Sequence, residues 1–129
     1  MSEPVWIDER DSLALHDRLL AFDGGAPGVR DMGLLQSALA GPQQLYSYGD
    51  NPDILDMAAA YISGIVRDHP FIDGNKRTGF LLGVLFLELN GARFTATEES
   101  AAQAILSRAA GTLAEPALTA WLRANVKCP

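Results

Sequence analysis

Cysteine is almost missing from this chain: one of 129 residues, Cys128, next to the last position. With no second thiol there is no internal disulfide, and such usage suits a reducing compartment. Histidine is nearly as scarce, with only His16 and His69, so a zinc site is not expected. No G-x-S-x-G stretch is present, which argues against a serine hydrolase built on a nucleophile elbow. The longest apolar run covers residues 79–89, well short of the roughly 18 residues that suggest a membrane span. Positive charge is the minority sign: 10 Lys and Arg against 16 Asp and Glu, net −6, with a pI near 4.7. A chain this acidic is a poor general binder of nucleic acid or anionic membrane, so any phosphate site must be a local basic pocket. The first ten residues lack a basic stretch followed by an apolar one, so no signal peptide is expected and the expected location is cytoplasmic.

What is present suits one globular domain, expected to span residues 1–129. Hydrophobic residues make up 48% and charged residues 20%, enough for a real core at this length. Val5-Trp6-Ile7 reads as an extended lead-in or a hydrophobic tether. From Asp8 the residues Leu13, Leu15, Leu19, Leu20 and Phe22 fall mostly on one helical stripe, with Asp8 or Asp11 as cap and Gly24-Gly25 as stop. His16, inside this helix, reads as a surface or half-buried histidine. Asp31 is a plausible cap for a second helix with Met32, Leu35 and Leu39 on one face. Arg30 can reach a phosphate or an acidic partner, although an ordinary loop pair with Asp31 is the favoured reading.

Residues 41–51 begin with Gly41-Pro42, have no helical period and carry Leu45, Tyr46 and Tyr48, which suggests a short hairpin or an irregular flap. Asn51 as cap and Pro52 at the first helical position then open a long helix over 52–68. Pro70 stops it at His69, because the residue before a proline disfavours the helical region. A helix over 76–89 is apolar nearly all round, hence central, with Gly83 as a close-contact point and Asn90-Gly91 as stop. Thr95 and Glu98 have capping-box spacing for a helix over 98–110, and Glu115-Pro116 starts a last one. No convincing strand pair is visible. The expected architecture is all-α, a compact bundle of about six helices.

The densest chemistry lies in His69-Pro70-Phe71-Ile72-Asp73-Gly74-Asn75-Lys76-Arg77. A polar, glycine-containing loop opening onto a buried helix presents free N–H groups and the positive end of the helix dipole to an anion. Lys76 and Arg77 add positive charge where the dipole disfavours it, a conflict that a bound phosphate resolves. His69 suits a general base for a serine, threonine or tyrosine hydroxyl. Asp73 suits Mg²⁺, whose shell phosphate oxygens and water complete. Gly74 lets the backbone approach the anion, Asn75 can donate a hydrogen bond, and Lys76 and Arg77 supply charge to the phosphate chain. Phe71 most simply anchors the loop in the core. These are the parts of phosphoryl or nucleotidyl transfer.

The stretch resembles the signature of the Fic/Doc superfamily, H-x-F-x-[DE]-[GA]-N-[GK]-R, at every defined position. Lysine at 76 resembles the Doc ("death on curing") branch of toxins, where AMP-transferring members usually carry glycine. Residues 28–39 also resemble that branch's G-x-R-D-x-G-L-L-x-S-A-L pattern. The resemblance spans roughly residues 5–125 and implies a helical fold agreeing with the bundle above. It implies His69 as base, Asp73 as metal ligand and Gly74, Asn75, Lys76 and Arg77 around the phosphates of ATP. It further implies transfer of the γ-phosphate to a protein hydroxyl, because the lysine fills space that the AMP-transferring pose needs, with elongation factor Tu as the known target class. AMP transfer and a non-catalytic binding module are the alternatives. The family's flap, which receives the target by strand-like pairing, would fall at 41–51. The self-inhibitory pattern [ST]-x-x-x-E-[GN] is missing, Thr95 to Ser100 ending in Ser. Inhibition is therefore expected from a separate antitoxin whose terminal helix lies in an apolar groove.

Overall fold

A computed structural model of the chain describes residues 3–109, 111 and 113–128, and all side chains within them except those of Glu98 and Ala109. The element order is α1 (Glu9–Asp23), α2 (Met32–Tyr48), α3 (Ile54–Asp68), α4 (Asn75–Leu89), β1 (Arg93–Phe94), α5 (Glu98–Ala109), α6 (Glu115–Ala124) and β2 (Val126–Lys127). The all-α expectation holds, with six helices among the described residues. One correction is small: β1 and β2 pair antiparallel, Arg93 opposite Lys127 and Phe94 opposite Val126. Two residues per strand are too few for an alternating pattern to register in sequence.

α3 is the axis. Ten of its fifteen residues are buried, from Leu55 to Val66, and α2, α4, α5 and α6 all lie against it. Small residues set the spacing: a Cβ on Gly83 of α4 would come 2.6 Å from Ile62 Cγ1 of α3. Ile62 is itself fully buried and cannot retreat, so alanine at 83 would force the two helices apart. The N-terminal lead-in is a tether. Ile7 is fully buried, Trp6 stacks on Phe86, and Asn90 exchanges hydrogen bonds with the Val5 backbone at 2.8 and 3.0 Å. The Tyr61 hydroxyl accepts from Ile7 N–H at 3.0 Å. Burial pushes that phenol up to about 12, with the Ile7 contact pulling it back and the Asp11 charge adding to the rise.

Three boundaries differ from the sequence reading. α2 does not break at Gly41-Pro42 but runs through Pro42 to Tyr48. A mid-helix proline loses one backbone bond and crowds the preceding turn. Here Pro42 is buried and Tyr46 reaches Trp6 edge-on at 5.6 Å, so tertiary packing outweighs the local penalty. α3 is capped by Asp53 rather than Asn51: Asp53 Oδ1 accepts from the N–H of Leu55 and Asp56, and Asp56 returns a bond to the Asp53 N–H. That reciprocal box satisfies more orphan donors than Asn51 followed by Pro52 can. At α5, Thr97 Oγ1 accepts from the Ser100 N–H at 3.1 Å; the Glu98 side chain and residue 110 lie outside the described residues.

Candidate active site

α3 ends on His69, which has left-handed backbone angles, φ 50 and ψ 56, while its N–H still bonds to Ile65 O at 3.1 Å. Such φ is uncommon outside glycine and carries strain. It persists because the surroundings fix it. Arg30 donates from Nε to His69 O at 2.7 Å and from its NH2 group to Asp68 O at 2.8 Å, closing the carbonyl end of α3. Arg30 and Asp31 also donate backbone N–H groups to Pro70 O. Val29 and Phe71 form an antiparallel bridge, and Ile72 N–H bonds to Gly28 O. The favoured reading of Arg30 as partner of Asp31 is corrected: Asp31 caps α2 through Leu34 N–H, and Arg30 braces the motif. The expected flap at 41–51 is corrected as well. Residues 41–48 are helical, whereas residues 28–31 pair with residues 70–72 of the motif through one antiparallel bridge and flanking backbone bonds.

The loop then turns back on itself. Asn75 Oδ1 accepts from Phe71 N–H and Asn75 Nδ2 donates to Phe71 O, both at 2.9 Å. Asn75 is therefore a brace made of two buried bonds, its amide engaged with the loop, and it borders the cavity described next. Phe71 is fully buried and anchors the loop. His16 stacks on its ring with centroids 3.9 Å apart. The same His16, only 2% exposed, makes a 2.8 Å bond from Nε2 to Asp73 O; a carbonyl only accepts, so Nε2 carries the proton. The expectation of a surface or half-buried His16 is corrected. Its contact partners are 55 and more residues away, so nothing near it in sequence signals the role.

Gly74 is the N-cap of α4 at φ 77, left-handed backbone suited to glycine, and no side chain caps this helix. The N–H groups of its first turn are thus open to an anion. A cavity of about 500 Å³ faces them, bordered by His69, Asp73, Gly74, Asn75, Lys76 and Arg77 with Leu19, Leu20 and Asp23 of α1. The motif residues singled out in the sequence meet there. Arg77 is paired with Asp23, so a ligand phosphate would compete with that carboxylate. Asp73 accepts from Gly74 N–H at 2.8 Å through Oδ1 and from Ala26 N–H at 3.2 Å through Oδ2. Each oxygen keeps acceptor capacity. No group of three or more His, Cys, Asp or Glu placed to hold a metal ion by themselves is found among the described residues. A single carboxylate fits Mg²⁺ arriving with a phosphate chain, since that ion retains water and substrate oxygens. Beside the cavity runs a groove of about 620 Å³ with an apolar wall of Phe80, Ala101, Ala102, Ile105 and Leu106 and a charged rim of Lys76, Arg77 and Asp23. No helix among the described residues is long and apolar enough to cross a membrane.

Comparison with known proteins gives consistent matches. The family model described as "Fic/DOC family" matches residues 6–87. The chain is 39% identical over 92 residues to "Toxin Doc" of Mycolicibacterium smegmatis (strain ATCC 700084 / mc(2)155), covering 70% of this chain and 68% of that one. It is 33% identical over 87 residues to "Protein kinase doc" of Escherichia phage P1, covering 67% and 69% respectively.

Proposed function

Because the chain belongs to the Fic/DOC family and is similar to Doc toxins, we propose that it is a toxin that phosphorylates a protein. Its substrates are ATP and a serine or threonine hydroxyl of a translation factor of the elongation factor Tu class, and its effect is arrest of translation in the cytoplasm. The observation that carries this reading is the meeting of His69 with the uncapped start of α4, Lys76 and Arg77 around one cavity.

His69 takes the proton of the acceptor hydroxyl. The oxygen forms its bond to the γ-phosphorus while the bond to the β,γ-bridging oxygen breaks, and ADP leaves with that electron pair. The α4 N–H groups, Lys76 and Arg77 hold the phosphate chain, with Gly74 admitting the close approach. Asn75 keeps the loop in shape, and His16 and Arg30 hold its two ends. Asp73 would hold Mg²⁺, which when bound neutralises phosphate charge. The name of one relative as a toxin supports a cognate antitoxin as partner. Its helix would lie on the apolar wall beside α4 and α5, next to Lys76 and Arg77.

Mass spectrometry of elongation factor Tu incubated with the protein, Mg²⁺ and ATP tests the reading. Phosphorylation adds about 80 Da and AMP transfer about 329 Da. A gain of AMP alone would overturn the assignment and transfer it to nucleotidyl chemistry. Lys76→Gly is expected to lower phosphate transfer, since lysine both fills volume and places charge at the phosphates. Chelation of divalent ions is expected to stop transfer; activity indifferent to chelator would remove Mg²⁺ from the mechanism.

A further inference from the structure

The two cations of the phosphate-loop cavity are not equally free. Lys76 has no ion pair among the described residues, whereas Arg77 is held by Asp23, the last residue of α1. Arg77 and Asp23 both border the cavity, and both side chains reach solvent, 59% exposed for the arginine and 45% for the aspartate.

Each member of the pair stands at the wrong end of its own helix. A helix favours cations at its C-terminus and anions at its N-terminus. Asp23 closes α1, whose last turn has no basic residue. Arg77 is the third residue of α4, whose first turn has no acidic residue and whose N-cap supplies no side chain. Neither charge gains from the helix that carries it. Across the contact of α1 with α4 they cancel each other instead. The gain is small, because water screens an exposed ion pair.

A weak pair of misplaced charges suits exchange better than anchoring. A phosphate chain brings more negative charge than one carboxylate and meets a guanidinium in two-pronged geometry, so it can displace Asp23. The displaced carboxylate is then left beside the bound anion, a like-charge repulsion, and at the negative end of α1. Both effects oppose binding and favour release. We propose that Asp23 is the internal competitor of the phosphate ligand. It holds Arg77 while the cavity is empty, yields it to the phosphate chain, and takes it back as the product leaves. Asp23 thereby sets how tightly the site grips a phosphate chain. This rests on the phosphate-binding part of the transferase reading above, and is the same whether phosphate or AMP is transferred.

Inorganic triphosphate, free of divalent metal, is titrated calorimetrically into the full chain and into its Asp23→Asn and Asp23→Glu variants. Asparagine keeps the size of the side chain and removes the charge; glutamate keeps the charge. Asp23→Asn is expected to bind triphosphate roughly two- to fivefold more tightly, the worth of one exposed ion pair. Its melting temperature is expected to stay close to the parent's, since the lost pair is offset by removal of a carboxylate from the end of α1. Asp23→Glu is expected to bind as the parent does. Equal or weaker binding by Asp23→Asn, or the same gain in Asp23→Glu, would overturn the competitor role. A lowered melting temperature with unchanged affinity would do so too, and would make the pair a clamp of α1 on α4. Failure of triphosphate to bind any of the three proteins would overturn the phosphate cavity itself, and the competitor with it.

Discussion

The two ends of α3 are closed in opposite ways. At its start, Asp53 and Asp56 cap each other's N–H groups within three residues, and Arg123 of α6 pairs with Asp53 at 2.7 Å. At its finish, the last carbonyls are taken by Arg30, 38 and 39 residues away in sequence, and His69 departs in a left-handed turn. The first end has its N–H groups capped from within its own first turn. The second is completed by a distant loop, and that loop fixes the backbone of the proposed base. A helix end made from remote partners can be oriented finely; a self-capped end can only be made stable.

Several substitutions would break or sharpen that contrast. The largest effect is expected at His69 itself: His69→Ala should lower transfer by about 10²–10⁴, the range for a general base, with an unchanged urea midpoint. Near-normal turnover in a folded His69→Ala protein would remove the base assignment. Next comes Asn75→Ala, which leaves the buried N–H and C=O of Phe71 unpaired. A loss of roughly 2–6 kcal/mol is expected in urea unfolding, the sum for two such groups, and loss under about 1 kcal/mol would mean the brace is unimportant.

Arg30→Ala is expected to cost about 1–3 kcal/mol, read chiefly as lower turnover because His69 loses its anchor. Arg123→Ala, at the opposite end, should cost about 1 kcal/mol or less and leave turnover alone. Equal turnover losses in the two variants would erase the distinction between the ends. The smallest effect is one of pH. Burial raises the Asp53 carboxyl, but bonds from Arg123 and from the Asp56 backbone outweigh it and hold it below the ordinary carboxylate value. A depressed folded-state value stabilises above the unfolded-state pKa and ceases to as pH falls through the folded one. The stability gap between the parent and Asp53→Asn should therefore be full near neutrality and shrink in acid, as followed by thermal unfolding at several pH values. A gap that grows in acid would contradict it.

The motif was legible because it is local: His69, Phe71, Asp73 and Gly74–Arg77 sit within nine residues, and a loop opening onto an apolar helix has a readable anion geometry. The Asp31 cap followed from spacing in the same way, whereas the helix over 76–89, read as central from its apolar run, buries fewer residues than α3. Arg30 and His16 were not legible in their roles, since each acts on a backbone carbonyl of a remote segment and a carbonyl has no sequence identity. Gly41-Pro42 misled for a related reason. Local propensity says break, and only the contact of Tyr46 with Trp6, made across the fold, says continue.

The burial of α3 also bears on how the proposed base can be lost. Native proteins open in units of unequal stability, and functional loops are usually drawn from the weakest ones. His69 instead caps the end of a helix wrapped by α2, α4, α5 and α6. Amide protons along α3 are therefore expected to exchange with solvent only when the whole molecule opens, the Ile65 and Val66 sites included. On that expectation fraying of a weak loop is not the route by which the base is lost. Whatever silences it must fill the cavity, cover it, or remove the protein altogether.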